Sequence, residues 1–205
     1  MNQGDIGVQY GETPYRPTRR KKKGLRPHPA KVCPGHLQLE DRPQEANQRS
    51  EKGHYEMNTV VSSINGKVGL LVLIDRCTRN SMIQLINSIS KEAVHRALKK
   101  IMKENSHLNI KSVTTDNGCA FKDHKSIEKI LKYNVYYTRA YASYEKGSVE
   151  NCNRLVRRWY PKGTDLSHCT KSEIRALLTW INGIHKKSLD SMTVTQYTEM
   201  LSRAS

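Results

Sequence analysis

The chain has 205 residues, with 35 Lys and Arg against 19 Asp and Glu, a formal net charge of +16, 36% hydrophobic residues, and one Phe beside ten Tyr. That length allows one full domain with a modest core plus an extension, while the charge far exceeds what solubility requires and points to a polyanion, nucleic acid first. The five cysteines (Cys33, Cys77, Cys119, Cys152, Cys169) are odd in number, widely spaced and without a C-x-x-C pair, which argues against a disulfide scaffold or a zinc knuckle and for reduced thiols in a cytosolic setting.

The polar start carries no signal-peptide-like apolar stretch, and the longest apolar run, Val68 to Ile74, is too short to span a bilayer. A soluble, cytoplasmic protein without a membrane partner is expected. Residues 1–50 hold six of the seven prolines and little apolar periodicity, so they read as a basic, flexible arm and extended lead-in. Eight basic residues cluster there without an acid among them: Arg16, Arg19, Arg20, Lys21, Lys22, Lys23, Arg26 and Lys31. Such a block is a solvated arm, used for phosphate contact or as an import-like address, and Arg19, Arg20, Lys21, Lys22 and Lys23 are candidate DNA contacts. Cys33 and His36 lack a second ligand pair and read as a loop thiol and a loop imidazole.

Order is expected from near His54, making residues 51–205 the folded core. His54 to Ser62 alternates into a β-branched run, Asn65-Gly66 is a hairpin turn, and Val68 to Ile74 and Asn80 to Ile86 follow as strands. Ser90 is placed to cap a helix of about fifteen residues with Val94, Ala97, Leu98 and Ile101 on one face. Next come a strand, Ile110 to Thr115, a small helix, Asp123 to Leu131, a strand, Val135 to Thr138, and a basic helix carrying Glu150. Thr170 and Glu173 form a capping box before a helix with Ile174, Leu177, Leu178 and Ile181 on one face, and a last helix covers Val194 to Leu201. This order predicts a ribonuclease-H-like α/β domain, a mixed five-stranded sheet flanked by helices.

Asp116 and Glu150 have thirty-three residues between them, the first at a strand end and the second on a helix. Two carboxylates held this way suit divalent cations acting on a phosphodiester, since two Mg²⁺ ions about 3.5–4 Å apart stabilise both the entering and the leaving oxygen. Asp-Asn-Gly at 116–118 is by itself also a common turn. On the helix, Glu150, Arg154 and Arg157 share one face while Val149, Cys152, Val156 and Trp159 share the other. The residues alone allow a surface Glu150–Arg154 ion pair as readily as a metal site. Of the tyrosines in this region (Tyr133, Tyr136, Tyr137, Tyr141, Tyr144), strand alternation turns Tyr136 or Tyr137 to the core. Tyr141 and Tyr144 are left to stack on DNA bases. Trp159 and Trp180 read as core anchors.

The segments Gly53-His-Tyr-Glu-Met-Asn-Thr-Val-Val, Leu71-Val-Leu-Ile-Asp-Arg-Cys-Thr-Arg, Thr114-Thr-Asp-Asn-Gly-Cys-Ala-Phe, Gly147-Ser-Val-Glu-Asn-Cys-Asn-Arg-Leu-Val-Arg and Pro161-Lys-Gly-Thr-Asp-Leu resemble successive blocks of the insertion-sequence-thirty class of bacterial transposases. The catalytic domain of that class is similar to retroviral integrase, and the resemblance runs from about Arg42 to Leu201. It implies a three-acid (DDE) site with Asp116 second and Glu150 third, and Arg157 as the basic residue that meets substrate DNA. Asn151, Asn153, Ser143 and Lys162 match positions lining the same cleft, and Lys146 stands where the family usually has arginine, which keeps the charge but not the planar fork. It also implies Mg²⁺ (or Mn²⁺) in a two-metal site, no small-molecule cofactor, DNA as partner, and a homo-oligomer on DNA.

The family usually has aspartate where this chain has Asn58, and it carries an N-terminal end-binding helix-turn-helix region that is not found here. An amide offers one neutral oxygen where a carboxylate offers two anionic ones, so Asn58 weakens the expected metal set of Asn58, Asp116 and Glu150. Glu56 and Asp75 are the nearby acids to consider as substitutes, and both would need ligand geometry that tolerates little displacement. Three functions follow: a transposase catalytic core for DNA integration and strand transfer, impaired by Asn58; an inactive nucleic-acid-binding remnant or partner subunit; and a free-standing structure-selective nuclease.

Overall fold

The computed structural model describes residues 35–62, 67–139 and 142–204. The Asn65-Gly66 turn, the basic block with Arg19, Arg20, Lys21, Lys22 and Lys23, Cys33 and Tyr141 lie outside the described residues.

The fold takes in residues ahead of the expected start at His54. A short strand β1 (Leu37–Gln38) adds to the sheet edge, a 3₁₀ turn follows, and a short helix α1 (Gln44–Gln48) packs by one fully buried residue, Ala46. Polar contacts complete the anchorage: the buried Arg42 donates through Nη1 to Thr114 Oγ1 at 3.1 Å and through Nε to Asn47 Oδ1 at 2.9 Å. A segment held by one alanine and one arginine has no apolar period, so its sequence reads as lead-in.

The core strands are β2 (His54–Val61), β3 (Gly69–Asp75) and β4 (Ser81–Ile86), then helix α2 (Lys91–Glu104), β5 (Ser112–Thr115), helix α3 (His124–Leu131) and β6 (Val135–Tyr137). Helices α4 (Gly147–Trp159), α5 (Lys171–Gly183) and α6 (Val194–Ala204) close the chain. The sheet order is β1-β6-β5-β2-β3-β4, with β2/β3 and β3/β4 antiparallel and the other pairs parallel. The five expected strands are present and mixed as predicted; β1 makes a sixth.

Alternation along the strands divides the core in two. Tyr55 and Met57 of β2 and Leu71 and Leu73 of β3 face α2 and α3, meeting Val94, Leu98, Ile127 and Leu131. Val60 of β2 and Leu70, Val72 and Ile74 of β3 face α4 and α5, meeting Val149, Cys152, Val156, Leu177 and Ile181. Every residue of β3 is buried, as both faces are covered, and each fully buried Leu or Val there contributes about 1.5–3 kcal/mol.

The helix starts follow their capping residues. Ser90 accepts from the Ala93 amide at 3.2 Å, and Thr170 and Glu173 cap each other's backbone amides. Among the described residues, no helix is long and apolar enough to cross a membrane. Tyr136 and Tyr137 are both buried, Tyr137 donating to Phe121 O at 2.6 Å and stacking on His36 at a centroid distance of 3.8 Å. His36 lies outside the strands and helices, as expected, but its ring is buried against Tyr137. Trp159 corrects an expectation: it is 41% exposed and leans on Trp180 at a centroid distance of 5.9 Å.

Candidate active site

The parallel register of β5 on β2 ends at Glu56 and Thr114; Thr115 Oγ1 still donates to Met57 O at 3.3 Å, and Asp116 follows at the level of Asn58. The Asp116 side chain turns back on its own loop, Oδ1 accepting from the Gly118 amide at 2.8 Å. A β-carbon at 118 would lie 2.7 Å from that same oxygen, so a larger residue there would displace the Asp116 carboxylate. Asn117 Nδ2 donates to Thr138 O at 2.9 Å and pins the loop to the end of β6. The turn therefore fixes the aspartate.

Glu150 is brought over the sheet by the way α4 begins. Glu56, on the same face of β2 as Asn58, is fully buried; its Oε2 accepts from the Val149 amide at 2.8 Å and its Oε1 pairs with Arg76. Arg76 Nε in turn donates to Ala46 O at 2.7 Å. A carboxylate on the first turn of a helix satisfies an otherwise unpaired amide and complements the helix dipole. Glu56 is thus committed to aiming α4, and it is not a substitute ligand. Asp75 is equally occupied, accepting from the amides of Gly53, Cys77 and Thr78. Glu56 as the device that seats the helix was missed in sequence, because it alternates with His54 and Asn58 on a largely polar strand face and nothing local shows that a helix covers it.

Position 58 meets position 150 directly. Asn58 Nδ2 donates to Glu150 Oε1 at 3.3 Å, and Asn58 Oδ1 accepts from the Thr59 amide at 2.9 Å. Half-buried Glu150 has its carboxyl pushed above the usual range, first by burial; Lys146 opposes this and the nearby Asp116 adds to it. Lys146 Nζ lies 2.7 Å from Asp116 Oδ2, with only 2% of the lysine side chain exposed. Expected on the DNA-contacting surface, Lys146 is instead buried in an internal ion pair, because the 3₁₀ turn Ser143–Lys146 leading into α4 folds its stem inward.

The other expected positions spread outward from this centre. Arg157 ties the end of α4 to β2, donating through Nη2 to Val61 O at 2.7 Å and through Nη1 to Tyr160 O at 3.4 Å. Arg154 is exposed and donates to Asn151 Oδ1 at 2.8 Å. Asn153 has a buried Oδ1 with no hydrogen-bond partner among the described residues. Lys162 is exposed in the turn after α4, and Tyr144 is 78% exposed beside the start of α4.

Side chains 58, 116 and 150 therefore converge, yet they do not fit a pair of divalent cations. One is an amide whose NH₂ points at Glu150 and whose oxygen is taken by the backbone. Another is a carboxylate already neutralised by an ammonium. Among the described residues, no group of three or more His, Cys, Asp or Glu is arranged to hold a metal ion.

No family model matches the chain. Curated relatives do: it is 30% identical over 175 residues to the transposase for insertion sequence element IS4351 of Bacteroides fragilis, covering 85% of this chain and 53% of that protein. It is 34% identical over 185 residues to the probable transposase for insertion-like sequence element IS1161 of Streptococcus salivarius, covering 89% and 51%. To the transposase InsI for insertion sequence element IS30A of Escherichia coli K12 it is 27% identical over 161 residues, covering 78% and 42%. The chain thus spans about half the length of the relatives it matches. Among solved structures, it superposes on a chain of the simian T-cell lymphotropic virus intasome in complex with PP2A regulatory subunit B56 gamma. The TM-score is 0.56 at 14% identity, over 70% of this chain and 53% of that one. That likeness establishes an integrase-like, ribonuclease-H-like fold.

Proposed function

The chain belongs to the bacterial insertion-sequence transposases, and on that premise we propose that the domain from about residue 37 to α6 is the catalytic core of a DNA transposase whose phosphoryl-transfer site is impaired by Asn58. The observation that carries this reading is the convergence of side chains 58, 116 and 150 from β2, the end of β5 and α4 on an integrase-like fold. In this reading Asp116 and Glu150 are two of the three acids, and an aspartate at 58 would complete a set of hard oxygen donors for Mg²⁺ or Mn²⁺. Such ions, when bound, supply charge stabilisation at the phosphodiester.

The residues of this chain supply binding and orientation. Exposed Arg154, Asn151 and Lys162 offer donors to DNA phosphates, Tyr144 offers a ring for an unpaired base, and Arg157 braces the helix. Arg19 to Lys23 add sequence-independent phosphate contact, and the protein works in the cytoplasm, on nucleoid DNA, as a homo-oligomer.

The experiment compares the chain as written with Asn58→Asp in nicking and strand-transfer assays on linear duplex DNA with Mg²⁺ and Mn²⁺. The variant is expected to gain activity on the order of 100-fold or more, since even outer-shell partners of metal ligands are worth 10–100-fold. A variant that gains nothing would leave the DNA-holding reading, and full activity of the chain as written would refute the account of position 58. That second reading, a partner subunit that binds DNA without turnover, is favoured by the Asn58–Glu150 and Lys146–Asp116 contacts, which occupy both carboxylates internally.

A further inference from the structure

A cavity of about 200 Å³ lies beside the first two turns of α4, on the flank formed by Ser148, Asn151, Cys152 and Leu155, and is closed opposite by α5 and the segment after it. We propose that it is a binding site for a phosphate-type oxyanion, held by Arg49, Arg79 and Lys186 with the hydroxyls of Ser148 and Ser188. It is separate from the contact between Asn58 and Glu150, because Ser148, Asn151, Cys152 and Leu155 leave α4 on a different side from Glu150.

Three observations converge on this. First, the cavity wall gathers three cations and no carboxylate. The nearest acids, Glu56 and Asp75, are spent on Arg76 and the Val149 amide and on three backbone amides. Second, Arg79 is only 8% exposed, its Nη1 donates to Ser148 Oγ, and its Nε has no hydrogen-bond partner among the described residues. A buried guanidinium N–H left unpaired is costly, and an anion in the adjoining space removes that cost. Third, the like charges burden one another. Both Arg79 and Lys186 are held below their usual pKa, first by burial, with Arg49 pressing further on Arg79 and Arg79 on Lys186. An oxyanion among them would relieve that repulsion.

The room available exceeds the roughly 10–15 Å³ that a single water requires by more than tenfold. Part of the helix N-terminus is already used, since Glu56 takes the Val149 amide, so the side-chain cations and hydroxyls bear the selectivity. The tetrahedral oxyanion can come from a DNA phosphate or from free phosphate, and both present the same acceptors to the same donors.

The test titrates the full chain with sodium phosphate by calorimetry and thermal shift, with ionic strength held constant by chloride. Saturable binding of one phosphate per chain is expected, with a rise in Tm that grows with ligand concentration. Arg49→Gln and Lys186→Gln should each weaken it at least tenfold, while Lys129→Gln on α3 leaves it unchanged. Arg49 is exposed, so its variant keeps the fold and the test stands even if Lys186→Gln does not. Duplex DNA then separates the sources. If phosphate lowers duplex affinity in the original chain but not in Arg49→Gln, the site takes a DNA phosphate; if duplex and phosphate bind independently, it takes the free ion. Stabilisation by phosphate no greater than by chloride, or equal in all variants, would overturn the proposal.

Discussion

Lys146 and Asp116 form an ion pair of 2.7 Å in which the ammonium is buried and the carboxylate is 40% exposed. The cation that neutralises Asp116 therefore comes from the chain itself. Replacing Lys146 with Met should lower stability by about 1–2 kcal/mol, less than for a fully buried pair because water still reaches Asp116. Denaturant unfolding with a matched Asp116→Asn control measures it, and a double variant more stable than Lys146→Met alone is expected if the lost partner is the cause.

Adding a carboxylate at position 58 places a third acid beside Asp116 and Glu150. Without metal, Asn58→Asp should melt below the original chain, since it loses the amide donor to Glu150 and adds like-charge repulsion. Millimolar Mn²⁺ or Mg²⁺ should raise its Tm in a concentration-dependent way and leave the original chain within about 1 °C, as ligand linkage requires. Equal metal responses in the two proteins would refute the assignment of position 58.

The raised pKa of Glu150 has a definite sign. Its carboxyl titrates above the ordinary value of 4.5 in the fold, so its stabilising contribution is complete below that value and is lost as pH rises through the higher folded value. Glu150→Gln keeps an oxygen to accept from Asn58 and removes the buried charge. It should therefore melt higher than the original chain at pH 7, by at most about 3 °C given partial solvent screening, with the difference vanishing near pH 4. Melting curves across that range check it, and a difference that persists undiminished at pH 4 would exclude the charge as its origin.

The Glu56–Arg76 pair seats the helix that carries Glu150, and both side chains are at most 5% exposed. Arg76→Met should cost about 3–5 kcal/mol by leaving a buried carboxylate uncompensated, and Glu56→Gln with Arg76→Met should recover part of it. The same single variant should loosen hydrogen-exchange protection at the start of α4 more than in β3, the strand buried on both faces.

Deleting residues 1–31 removes eight basic side chains that have no acid among them. Duplex affinity should fall about equally for all sequences, and the slope of log affinity against log salt should flatten by about 0.9 for each phosphate that the arm no longer neutralises. An unchanged slope would place the arm off the phosphates.

The secondary structure was legible because its signals are local. Ser90 and Thr170 start their helices where a hydroxyl meets an orphan amide, and the alternation from His54 predicts a strand with two faces. Asp116 and Glu150 stood out by element type and spacing, but those features allowed a surface Glu150–Arg154 ion pair as readily, and only the resemblance to the transposases joined them to position 58. β1 and α1 were not, because one alanine and one arginine hold them without any apolar period. The exposure of Trp159 was equally hidden, since the helical period gives the side a residue faces but not how fully its neighbours cover it.

The sequence by itself determined the order of strands and helices from His54 onward, the basic character, the two carboxylates and the amide at position 58, all of which are properties of neighbouring residues or of composition. Only the tertiary structure decided what those groups spend their hydrogen bonds on. It gave Glu56 to the first turn of α4, Lys146 to Asp116, and Asn58 to Glu150, and it enclosed Arg79 with two other cations. Those outcomes depend on which residues distant in the chain are buried side by side, where an unpaired charge or donor is most costly.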